Sequence, residues 1–147
     1  EAAWGQAQVS EASVLIILCA DLHAWAKEPS RYWRHAPEQV QTFMSGAIEE
    51  YYQGDPQAQR DECMRSCGLA AQSIMLAAEA MGYASCPMDG FDFDRVGELI
   101  RLPEDHLISM FVVVGNPIVD PKPRSGPLER REQVVTDRFP DRVSSTG

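Results

Sequence analysis

At 147 residues, with 44% hydrophobic and 24% charged side chains, the chain has the composition of a folded protein with a sizeable core. A net charge of −9 and a pI near 4.7 exclude a broad nucleic-acid footprint and oppose attachment to an anionic membrane surface. A local basic patch for one phosphate stays open, because a site depends on nearby charge and not on the net value.

Glu1-Ala-Ala-Trp-Gly-Gln-Ala-Gln lacks the basic start and apolar run of a secretory leader. The longest apolar run, Val14 to Ala20, is too short to span a bilayer, so the expectation is a cytoplasmic protein without membrane contact. Cys19, Cys63, Cys67 and Cys86 include no Cys-x-x-Cys pair, and His23, His35 and His106 are scattered. Buried, reduced thiols and no metal are therefore expected.

In chain order, Ala2 to Val9 reads as the end of a helix. Ser13 to Ala20 is a continuous aliphatic run suited to a central strand buried on both faces. Asp21 to Pro37 is a polar connection carrying Trp25, Tyr32 and Trp33, and Pro37 opens a helix that Gly54 stops after Tyr52. Asp55-Pro56 pairs an N-cap with a first-turn proline, and the helical pattern then runs to Met81. Within it, Gly68-Leu-Ala-Ala-Gln-Ser73 is small enough for close helix packing, either within the chain or across a dimer.

Gly82 suits the positive φ found just past a helix end, and Pro87-Met88-Asp89-Gly90 reads as a turn. Such a turn offers backbone N–H groups to a planar, acceptor-rich cofactor, or is an ordinary connection between helices. Asp92 or Asp94 caps a helix to Ile100, ended by Leu102-Pro103, and Leu107 to Gly115 is a second central strand. Asn116 to Pro127 is a loop carrying Lys122 and Arg124, a basic pair on the surface or a phosphate contact. A further strand is expected around Gln133 to Thr136, before a disordered polar end from Val143. Buried strands separated by long helices give an α+β or α/β layered architecture.

Several segments together resemble the C-terminal part of the nitroreductase family, the FMN-dependent NAD(P)H oxidoreductases. They are Gln6-x-Gln8-Val9, Arg31-Tyr-Trp-Arg-x-Ala-Pro37, Gly68-Leu-Ala-Ala-Gln-x-Ile-Met-Leu-Ala-Ala78, Met81-Gly-Tyr-x-Ser-Cys-Pro-Met-Asp-Gly-Phe-Asp92, Val114-Gly115 and Lys122-Pro-Arg124. The match runs from about Gly5 to about Val135, and its specificity lies in the order and spacing of the pieces.

The resemblance implies an α+β, three-layer fold with a mainly antiparallel central sheet flanked by helices, over residues 1–140, followed by a flexible tail at 141–147. It implies that Asp89 and Gly90 face the flavin near N5, that Pro87 and Met88 line the ring, and that Lys122 and Arg124 reach the FMN phosphate. Phe43 and Met44, with Tyr51 and Tyr52 on the same helix, would border a substrate channel in a homodimer. The implied activity passes electrons from NAD(P)H through the flavin to a nitroaromatic, quinone or similar small acceptor, with no catalytic side chain required. Family members also carry Arg-x-Ser-x-Arg-like and Ser-x-x-Asn-x-Gln-Pro-Trp-like elements, which this sequence lacks, so it reads as missing the family's N-terminal section. The alternatives are a non-catalytic flavin-binding or dimerisation module, and a fragment that needs that section.

Overall fold

The computed structural model describes residues 2–120, 123, 126 and 128–139, in two units, one ending at Pro117 and the other beginning at Ile118. The first unit contains α1 (Ala7–Glu11), β1 (Val14–Asp21), a 3-10 turn (Pro29–Trp33), α2 (Glu38–Tyr52), α3 (Pro56–Ala80), β2 (Ala84–Met88), α4 (Phe93–Ile100) and β3 (His106–Gly115). Its strands form one antiparallel sheet in the order β1-β3-β2.

β3 is apolar along nearly its whole length because helices cover both of its faces. Alternation sends Phe111 and Val113 to one side, where they pack with Met88, Phe91 and Val96 and against Val9 and Ala12 of the α1 region. Val112, fully buried, points to the other side, where α3 crosses all three strands. The result is the α+β, three-layer arrangement with an antiparallel central sheet. Between Leu18↔Met110 and Cys19↔Ile108 the pairing skips Ser109, a bulge in β3. The extra residue returns Ile108 to the Phe111 side and leaves Ser109 beside Cys67 of α3.

Capping delimits the helices as the sequence leads one to expect. The Asp55 carboxylate accepts from the Ala58 N–H at 2.9 Å, and Asp92 does the same for Arg95 at 2.9 Å. At the end of α3, Gly82 has φ +80°, its N–H donates to Glu79 O, and the Tyr83 N–H donates to Ala78 O. This is a Schellman closure. α4 closes with Leu102 donating to Gly97 O, but Arg101 is the residue at φ +54°.

Five expectations are corrected. β1 is an edge strand among the described residues, with no buried residue, because only β3 pairs with it. Cys19 on it is exposed, Cys63 and Cys86 are half-buried, and only Cys67 is buried. Pro87 and Met88 belong to β2 and not to a turn; a proline is tolerated there because β2 is the other edge. In the second unit no strand spans Gln133–Thr136: Glu132 accepts from the Glu129 N–H at 2.8 Å and starts a short helix, α5 (Arg130–Gln133). Before α1 the chain makes turns, so the opening helix is shorter and later than expected. Residues 140–147, and with them the expected tail, lie outside the described residues.

A Cβ at Gly82 meets nothing within 4 Å, so the cost of Gly82→Ala is that of the left-handed backbone alone, about 1–2 kcal/mol. Arg101→Gly relieves the same strain at the end of α4 and raises stability by up to about 1 kcal/mol. Urea unfolding midpoints moving in opposite directions for the two variants are the expected outcome.

Candidate functional site

β2 carries the chain out of the sheet next to the core. Pro87 and Met88 pair with Val112 and Phe111 of β3, with the Met88 side chain buried and the Pro87 ring exposed. On the far side of the turn, Phe91 stacks on Phe111 with ring centroids 3.7 Å apart and planes 3° from parallel. The Asp92 N–H donates to Ala2 O at 2.8 Å. Asp89 and Gly90 are thus strung between two anchored ends, Asp89 exposed and Gly90 half-buried.

The turn is braced from the N-terminal segment by Trp4, which sequence reasoning did not single out, and by Gln6, which it read only as part of a resemblance segment. The Gln6 side-chain amide donates to the Gly90 carbonyl at 2.6 Å. Trp4, held at φ +50°, brings its ring to 3.5 Å from where a Gly90 Cβ would stand. A Cβ here would meet Gln6 and Trp4 at ordinary van der Waals distance, so the brace does not itself require glycine. The Phe91 N–H donates to Asp89 O at 3.2 Å, while among the described residues neither the Asp89 nor the Gly90 N–H has an acceptor. Two free donors on a rigid turn are the means to bind a planar ligand rich in acceptors. The one sequence signal for this brace is Gln6 within Gln6-x-Gln8-Val9.

Phe43 is 72% exposed and Met44 half-buried on α2. Lys122 and Arg124 lie outside the described residues. One turn and two turns beyond Met44, Ile48 and Tyr52 instead line a cleft of about 490 Å³, whose other walls include Trp25, Tyr32 and Trp33. Trp25 and Tyr52 face each other with centroids 6.3 Å apart. Burial, and then the Glu62 charge, raise the Tyr52 phenol above its usual range, so it stays neutral. Burial likewise raises the Cys67 and Cys63 thiols, which keeps them protonated and unsuited to nucleophilic attack.

Tertiary folding also brings Asp21, Asp105 and His106 within 4.8 Å of one another. The Lys27 ammonium supplies the positive charge there, 2.7 Å from Asp21 and 2.6 Å from Asp105. Burial alone would raise Asp21, but hydrogen bonds from Lys27 and the His23 N–H bring it below the usual carboxylate range. Lys27, then His106, lower Asp105 to about 2. A depressed carboxylate stabilises the fold above its unfolded value near about 3.9, and this contribution is lost as pH falls towards about 2. Lys27→Met therefore raises the Asp105 inflection, read by carboxyl-carbon NMR titration, and moves acid unfolding to higher pH.

The model of the Nitroreductase family matches residues 1–116. The chain is 54% identical over 110 residues to protein DrgA of Synechocystis sp., covering 75% of this chain and 52% of DrgA. It is 28% identical over 121 residues to FMN reductase (NADPH) of Bacillus subtilis, covering 78% of this chain and 41% of the relative. The chain thus spans about half the length of these curated relatives. The crystal structure of ydfN from Bacillus subtilis superposes with a TM-score of 0.84 at 26% identity, over 91% of this chain and 68% of that one. Among the described residues no helix is long and apolar enough to cross a membrane. On the family match and the shared fold together, the chain belongs to the nitroreductase family.

Proposed function

We propose that the chain is the flavin-holding part of an FMN-dependent oxidoreductase that passes electrons from NAD(P)H to a small acceptor such as a nitroaromatic or a quinone. The observation that carries this reading is the pair of N–H groups on the braced Asp89–Gly90 turn that have no acceptor among the described residues. It is supported by the relative named FMN reductase (NADPH). FMN, when bound, supplies the two-electron redox chemistry.

The residues of the chain bind and orient. Asp89 and Gly90 offer their free donors to the acceptor edge of the ring, and the exposed Pro87 borders the same surface. Met88 acts from the core, fixing where the turn begins. Lys122 and Arg124 are assigned to the phosphate from the family resemblance, and their chemistry suits it, a cation and a bidentate fork for an anion. Phe43 presents an exposed ring on α2 that suits an aromatic acceptor, with Met44 behind it. Leu69 and Leu76 leave an apolar stripe on the outer side of α3, which fits a homodimer.

The purified chain, titrated with FMN and then NADPH, shows flavin absorbance that bleaches if this reading holds. Absence of bound flavin removes the reading for the chain as it stands. Flavin that binds but resists NADPH leaves a flavin-binding module without turnover. Arg124→Ala weakens FMN binding by about 1.5–3 kcal/mol, the scale of a charged hydrogen bond, measured by quenching of flavin fluorescence. Unchanged affinity takes Arg124 out of the phosphate contact.

A further inference from the structure

We propose that Gln6 is the positioning residue that aims the free Gly90 N–H at the flavin, an inference that rests on the FMN reading above. The argument follows from how two successive peptide planes are held. The Gly90 carbonyl and the Phe91 N–H belong to one plane, and both are engaged: Gln6 holds the carbonyl at 2.6 Å, and the N–H donates to Asp89 O at 3.2 Å. The Asp89 carbonyl and the Gly90 N–H belong to the preceding plane. Because a trans amide points its N–H opposite to its carbonyl, fixing Asp89 O fixes the direction of the Gly90 N–H.

Without Gln6, that direction depends on a three-residue turn centred on a glycine, the residue with the widest backbone freedom. The turn's own hydrogen bond, from residue 91 back to residue 89, is then the main restraint at this point. Trp4 closes the other side: its ring lies 3.5 Å from the Gly90 Cβ position and keeps the glycine from swinging into that space. Its left-handed backbone, next to Gly5 at φ +69°, is the bend that brings Gln6 back over the turn. A bracket of this kind acts on no reacting atom; it selects one orientation of a donor.

Gln6→Met keeps the length of the side chain and removes its donor. The test compares the wild-type chain, Gln6→Met and Asp55→Ala, which loses the α3 cap and makes no contact with the turn. Each is titrated with FMN by fluorescence quenching, followed through the ¹⁵N–¹H signal of Gly90 before and after FMN, and unfolded in urea. The expected result is FMN binding about tenfold weaker in Gln6→Met, with the Gly90 signal displaced already in the free protein, and wild-type affinity in Asp55→Ala. Equal affinity in wild type and Gln6→Met overturns the proposal and leaves the FMN reading standing. Equal weakening in Asp55→Ala makes the loss one of general stability and also overturns it. A wild-type chain that takes up no FMN overturns both. Should Gln6→Met fail to fold, Gln6→Asn, one methylene too short to reach the Gly90 carbonyl, carries the same comparison.

Discussion

Burial of β3 on both faces is the constraint on which the rest of the first unit depends. One face requires the Phe91, Val96 and Met88 side chains, and the other requires α3, so the helices have little choice of position once the strand is placed. Phe91 is the residue that ties the candidate turn to this packing. Its ring is committed to Phe111, and the backbone on either side of Asp89 and Gly90 is therefore tied to the core.

The two edges of the sheet are stabilised differently. At the β2 edge, beside Met88, the fastening is apolar stacking together with backbone and amide hydrogen bonds from the N-terminal segment. At the β1 edge, beside Asp21, it is electrostatic, a lysine between two carboxylates with a histidine on one of them. Exposed ion pairs of this sort contribute little each. Here the pair also links the connection after β1 to the start of β3, which the Leu22 N–H to Asp105 O bond reinforces at 2.9 Å.

The cysteines fit this division. Cys67 packs in the layer between α3 and the sheet beside Ser109, whose hydroxyl is buried without a partner among the described residues. The bulge that puts Ser109 there is what keeps Ile108 in register with the opposite face. The same bulge thus packs an apolar side chain on one face and leaves a polar atom poorly satisfied on the other.

The local rules of the sequence determined where helices start and stop. Asp55-Pro56, Gly82, Asp92 and Gly54 each act through a hydrogen bond or a φ value set by the residue itself, and all four stand where the residues place them. The apolar run from Leu107 to Gly115 likewise marked β3, and the order and spacing of segments marked the family. What only the tertiary structure decided were pairings between distant residues. The run Val14 to Ala20 is as apolar as a central strand, yet which strand lies in the middle is a matter of partners, and among the described residues β1 has one. The Gln6–Gly90 bond spans 84 positions and the Lys27–Asp105 bond 78, and no local preference of either residue announces them. Spacing could not reveal the brace on the turn, because the brace exists only after the sheet has brought the N-terminal segment back over β2.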